Sequence, residues 1–126
     1  MNSNNTNNRS KQLEKRTIDF SVAVISTFGE YSSSSKFRSI TDQLIRSATS
    51  IGANYAEANN SSSRADFKNK IYIAKKEAGE TRYWLSIFSE IIHDRDFSKL
   101  TQEATELNLI LQKIITTMRS SEENGK

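Results

Sequence analysis

Cysteine and proline are both absent from the 126 residues, and each absence removes a class of explanation. Without cysteine there is neither a disulfide framework nor a thiolate metal site, so stability must come from packing and a reducing cytoplasm is the expected compartment. Without proline nothing forces a helix to break, and helices can run until polar turn residues stop them. Glycine is scarce: Gly29, Gly52, Gly79 and Gly125 stand alone, which leaves no glycine-rich loop to cradle a phosphate. The one histidine, His93, cannot furnish the paired Glu-x-x-His elements of a di-iron bundle. Nor does the sequence match it to any one serine or threonine as the base of a nucleophile. It sits at the expected end of a helix, where a C-terminal dipole contact or plain solvation suffices. No stretch approaches the roughly 20 apolar residues of a membrane span, and the start of the chain lacks the apolar segment of a signal peptide. These absences lead us to expect no cofactor, no metal, no catalytic residue and no membrane partner.

What remains is 35% apolar and 26% charged, which suits one small globular domain. The expected layout is an Asn/Ser-rich disordered tail over residues 1–10, a domain over residues 11–119 and a polar tail over residues 120–126. Net charge is +3, but the middle is the basic part: residues 36–82 carry nine Lys/Arg against five Asp/Glu. The balance turns negative from Tyr83 onward.

Apolar residues recur at spacings of three and four in four successive segments. The first, residues 11–31, has Leu13, Thr17, Phe20, Val24 and Phe28 on one stripe and Ile18, Val22 and Ile25 on a second. The serines at 32–35 should stop it and offer hydroxyl caps to the next helix. That helix carries Phe37, Ile40, Leu44, Ala48, Ile51 and Tyr55, with Gly52, Ala53, Ala56 and Ala58 leaving room for a close neighbour. Ser63 and Asp66 form a capping pair at the head of the third helix. Its seam runs Phe67, Ile71, Ala74, Ala78, Thr81, Leu85, Phe88, Ile92, and a second stripe holds Ile73, Trp84, Ile87 and Ile91. Asp96 is the candidate cap of the fourth, with Phe97, Leu100, Ala104, Leu107, Leu111, Ile114 and Met118 on its seam. Short polar turns between long helices predict an all-α, antiparallel up-down-up-down four-helix bundle. The second stripes on the first and third helices would stay bare in a monomer, so a homo-oligomer is expected.

Two strings are unusually specific: Arg46-Ser47-Ala48-Thr49-Ser50-Ile51-Gly52-Ala53-Asn54-Tyr55-Ala56-Glu57-Ala58, most of all from Ser50 onward, and Ala74-Lys75-Lys76-Glu77-Ala78-Gly79-Glu80-Thr81-Arg82-Tyr83-Trp84-Leu85. Together with their flanks, over residues 43–58 and 67–85, they resemble the paired signatures of the 23S rRNA intervening-sequence proteins. Many relatives have Ile in place of Tyr55 and Gly in place of Ala58. The resemblance extends over about residues 11–119, implies four-helix bundles in a homopentameric ring, and carries over no catalytic residue. It is also similar in architecture to the accessory protein of diversity-generating retroelements. The family name records where some of the genes lie and does not establish an RNA ligand.

Polar residues within these strings adjoin the seams. A buried carboxylate is costly unless a cation or several N–H groups meet it, so Asn54, Glu57, Glu77 and Glu80 are expected to form a structural network with Arg46, and with Arg82 as a second cation. The alternative is a ligand site on the same helix–helix face. Glu77/Glu80 and Glu103/Glu106 are each three apart, a spacing also found in the Mg²⁺-holding acidic pairs of all-helical nucleotide pyrophosphohydrolases, which makes such an enzyme a remote alternative. A nucleic-acid reading, RNA or DNA, rests on Arg64, Lys68, Lys70, Lys75, Lys76 and Arg82, part of which would lie along one side of a helix. Its rival is a scaffold whose partner is another protein.

Overall fold

The computed structural model of the protein describes residues 3–124, with side chains from residue 7 onward. Four α-helices follow one another: α1 (Ser3–Phe28), α2 (Arg38–Asn59), α3 (Arg64–Ile91) and α4 (Ser98–Asn124). They pack in sequential order as an up-down bundle, with the α2–α3 contact the most extensive and the α1–α4 contact the least. Among the described residues no helix is long and apolar enough to cross a membrane.

Both outer boundaries differ from the expected ones. The Asn/Ser-rich start, expected as a tail, belongs to α1 from Ser3 onward. No proline or glycine interrupts it, and Tyr55 donates to Ser10 Oγ at 3.1 Å, tying that turn to α2. The expected C-terminal tail likewise continues α4 to Asn124, where Glu122 meets Lys68 of α3 at 3.1 Å. Residues 1, 2, 125 and 126 of those two tails lie outside the described residues.

The turns show how the ends are closed. Ser63 accepts the Asp66 N–H at 3.0 Å, as the capping pair requires. Asp96 accepts from the Ser98 N–H at 2.9 Å at the head of α4. The serines before α2 do not act as expected. Residues Gly29–Ser33 form a 3₁₀ turn, no side chain caps α2, and the backbone carbonyl of Ser34 takes the Arg38 N–H at 2.9 Å. The backbone makes the bond that a serine hydroxyl would otherwise supply.

The seams form one core. Val24, Phe28, Leu44, Ala48, Ile51, Ile71, Ala74, Ala78, Leu85, Phe88, Ala104 and Leu107 are fully buried. On α4 the seam passes through fully buried Ile115, and Ile114 is only half-buried: a four-residue step from Leu111 keeps the stripe facing α3 where a three-residue step had been expected. Two polar groups enter the core in α2, Thr41 and Ser47, and the buried Thr81 hydroxyl meets Ser47 Oγ at 2.9 Å. Small residues let α1 approach α2 closely. A Cβ on Gly52 would lie 2.5 Å from Thr17 Oγ1, so this is a position where backbone proximity requires glycine.

The second stripes fare differently. On α1, Ile18, Val22 and Ile25 are 54%, 56% and 45% exposed. On α3, Ile73, Trp84 and Ile87 are half-buried and Ile91 is exposed, beside exposed Tyr83. These stripes lie on helices at diagonal corners of the bundle.

Candidate functional site

At the α2–α3 face, α2 supplies Arg46, Asn54 and Glu57 and α3 supplies Glu77 and Glu80. Glu77 and Glu80 are one helical turn apart, so one guanidinium from the facing helix can reach both. Arg46 does so: Nη1 donates to Glu77 Oε2 at 3.2 Å and Nη2 donates to Glu80 Oε2. Glu77 is the buried member, 8% exposed, and its Oε1 has no hydrogen-bond partner among the described residues. Arg46 is therefore the counter-charge on which that carboxylate depends.

The other expected members stand apart from this clamp. Asn54 donates to Ser50 O at 2.8 Å within its own helix. Glu57 is exposed and pairs with Lys70 at 3.0 Å, not with an arginine. It lies two residues past buried Tyr55, about 200° round the helix from the seam, so its pairing belongs to the solvated surface. Arg82 is exposed and makes no ion pair among the described residues.

The same design recurs on the opposite side. Arg16 of α1 donates from Nε to Glu103 at 2.6 Å and from Nη2 to both Glu103, at 2.7 Å, and Glu106, at 3.0 Å. Hydrogen bonding to Glu103 outweighs partial burial and holds the Arg16 pKa above its already high ordinary value. The spacing of Glu103 and Glu106 was visible in the sequence, but their partner lies 87 residues from Glu103, and no local pattern announces it. Both Glu-x-x-Glu pairs are thus occupied by an arginine.

The basic run is dispersed by folding. Arg64 and Lys68 share Glu122, at 3.6 and 3.1 Å, and Lys70 is held by Glu57. Lys75, Lys76 and Arg82 form no ion pair among the described residues, and the three do not make one stripe. Lys75 and Arg82 are seven apart and share one side of α3, while Lys76 is turned about 100° from Lys75. His93 sits at the end of α3 with Nε2 donating to Glu90 O at 2.6 Å, a C-terminal carbonyl contact.

One further concavity exists that sequence reading did not single out. Towards the N-terminus of α1 a cleft of about 910 Å³ opens between α1 and α4, floored by Tyr55 of α2 and Phe67 of α3.

Comparison with known proteins agrees with this architecture. The chain matches the family described as 23S rRNA-intervening sequence protein over residues 9–113. Among solved structures it is similar to a protein of unknown function from the S23 ribosomal protein family of Bacteroides thetaiotaomicron VPI-5482. The two share 37% identity, with a TM-score of 0.75 over 82% of this chain and 97% of that one. No curated protein matches it. The paired helix signatures, the sequential four-helix packing and a match spanning most of the chain place this protein in the 23S rRNA-intervening sequence protein family.

Proposed function

We propose that this protein is a non-enzymatic, cytoplasmic scaffold that works as a closed ring of identical copies. The observation that carries the reading is the pair of bare or partly bare apolar stripes, exposed Ile18/Val22/Ile25 on α1 and exposed Tyr83 and Ile91 with half-buried Trp84 and Ile87 on α3. The two are different surfaces on diagonal helices, which favours a head-to-tail contact in which one copy's α1 meets the next copy's α3. Repetition of such a contact closes a ring when the rotation allows. The number five comes from the resemblance. The non-catalytic reading is supported by the arginines that neutralise both Glu-x-x-Glu pairs, the candidate metal ligands of a pyrophosphohydrolase.

Light scattering on the whole chain tests the ring. A mass of five copies is expected at micromolar concentration, and Val22→Lys should shift it to a monomer that keeps its helical circular dichroism. A monomeric wild-type protein would refute the assembly.

What the ring gathers is read as another protein, because three cations of the basic run are already paired within the chain. A nucleic-acid partner is the second reading, supported by Lys75, Lys76 and Arg82, which form no ion pair among the described residues. Phosphate contacts release counterions, so binding to RNA or DNA through these residues would fall steeply with salt and with their neutralisation. A nuclease-insensitive protein partner, with no mobility shift on RNA or DNA at low salt, selects the first reading.

A further inference from the structure

The cleft between α1 and α4 has a composition unlike the rest of the surface. Its sides are apolar: Leu13 from α1, Ile110 and Ile114 from α4, and Phe67 from α3 beneath them. Its charged members among the described residues are all cations, Arg9 and Arg16 on α1 and Lys113 on α4, with no Asp or Glu. The three cations are not equivalent. Arg16 is committed to Glu103 and Glu106, whereas Arg9 and Lys113 have no ion-pair partner among the described residues. In a chain with 15 acidic residues, a concave apolar surface flanked by two uncompensated cations is a local charge imbalance facing a hydrophobic slot.

The slot also persists for a structural reason. The Thr17–Gly52 approach draws α1 onto α2, and the Arg16 clamp sets its separation from α4 midway along the bundle. Nearer the α1 N-terminus the wall is fixed again by Tyr55 donating to Ser10 Oγ. Between these contacts the cleft is lined by Leu13, Phe67, Ile110 and Ile114 and left open. Its volume lies in the range of small-ligand pockets. Along α1 the lining runs from Asn7 to Arg16, about 14 Å at the rise of an α-helix.

We propose that this cleft binds a free anionic amphiphile, a straight-chain carboxylate whose hydrocarbon lies against Leu13, Phe67, Ile110 and Ile114 and whose head group meets Lys113 and Arg9. The apolar walls recognise the chain, and the two cations recognise the charge. The open, elongated shape suits a single extended molecule laid along it from solution. Every lining residue belongs to one copy, so the cleft is complete without ring assembly.

The test is fluorescence titration of the full-length protein with dansyl-labelled undecanoate, followed by displacement with dodecanoate kept below its micellar concentration. Saturable binding with one site per chain is expected, displaced by dodecanoate and at least about tenfold less readily by dodecanol, which lacks the charge. Lys113→Gln and Arg9→Gln should each weaken binding by roughly tenfold, and Ile110→Trp should fill the slot and abolish it, all with wild-type circular dichroism. The proposal is overturned by an absence of saturable binding, by equal displacement with the alcohol, or by charge variants that bind as well as wild type. Capture by anionic phospholipid vesicles or by an acidic amphipathic peptide, with no binding of the monomeric carboxylate, would also overturn it.

Discussion

At one end of the bundle, where α1 and α3 finish and α2 and α4 begin, five aromatic rings fill the space between the helices. At the other, Tyr55 and Phe67 look into an open cleft. Phe28 sits 4.7 Å from Phe88 and 4.8 Å from Phe97 between ring centroids, with Tyr31 and Phe37 completing the cluster. Arg95 lies over Tyr31 and Phe97 and donates to Glu30 at 2.8 Å, sealing the rim. The open end has cations but no such plug. Hydrophobic burial is non-directional and needs bulk, so the end that received the large rings is closed, while the end lined by Ser10, Asn59 and Lys113 is not. The middle of the molecule shows the same contrast sideways. The Arg46 clamp lies over the tight α2–α3 contact, whereas the Arg16 clamp bridges the sparse α1–α4 contact.

The aromatic plug carries the largest expected effect. Phe88→Ala removes a fully buried ring that touches four other aromatics and should cost about 3–5 kcal/mol of unfolding free energy in urea denaturation. The half-buried Phe67 of the open end should lose less than half as much on the same change. Equal losses would mean that the two ends are equivalent in energy, whatever their appearance.

The two clamps come next. Arg46→Ala strands the Glu77 carboxylate, whose other oxygen already lacks a partner, and a cost of about 3 kcal/mol is expected, the lower end for breaking a buried pair because Arg46 itself is half exposed. Arg16→Ala leaves two carboxylates that water can reach, so about 1 kcal/mol is expected. Its clearer signature is faster amide exchange in the N-terminal half of α1, with α2 and α3 unchanged.

The helices and their seams were legible because apolar spacing is a local signal: Leu44, Ala48, Ile51 and Tyr55 are buried as their period requires. The Arg46–Glu77–Glu80 contact was legible in part, since one turn separates the acids and a facing arginine was available. What could not be read was set by three-dimensional neighbours. Glu57 was expected beside an arginine in a network and stands in solvent with Lys70. Three members of the basic run are spent on Glu122 and Glu57, a pairing invisible along the chain. The cleft left no trace because its lining comes from all four helices.

Two glycines sharpen the asymmetry at smaller cost. Gly52→Ala places its methyl against Thr17, and the overpacking outweighs the gain of about 1 kcal/mol in helix propensity, for a net loss of about 1–2 kcal/mol. Gly79→Ala meets only Asn108 Nδ2 at 3.7 Å, an ordinary contact, and should raise stability by about 0.5–1 kcal/mol. Thermal melts of opposite sign are expected, and a stabilising Gly52→Ala would show that α1 is not held against α2.

The smallest effect lies at the open end itself and depends on pH. Lys68, with Arg64 beside it, holds the Glu122 carboxyl below its ordinary value of 4.5. A carboxyl whose folded pKa is depressed adds stability above its unfolded value, and that contribution fades as pH falls through the lower folded value. The pair is exposed, so the loss should be confined to the last turns of α4. Amide protection factors, which divide out the intrinsic pH dependence of exchange, should fall over residues 118–124 between about pH 5 and about pH 3. Asp96, held low chiefly by the Ser98 N–H, acts only on the opposite end of the helix. In Glu122→Gln the decline at residues 118–124 should vanish. If it persists there, the C-terminal turns of α4 are anchored by Met118 and Ile115 alone, and the ion pair contributes nothing to closing the open end.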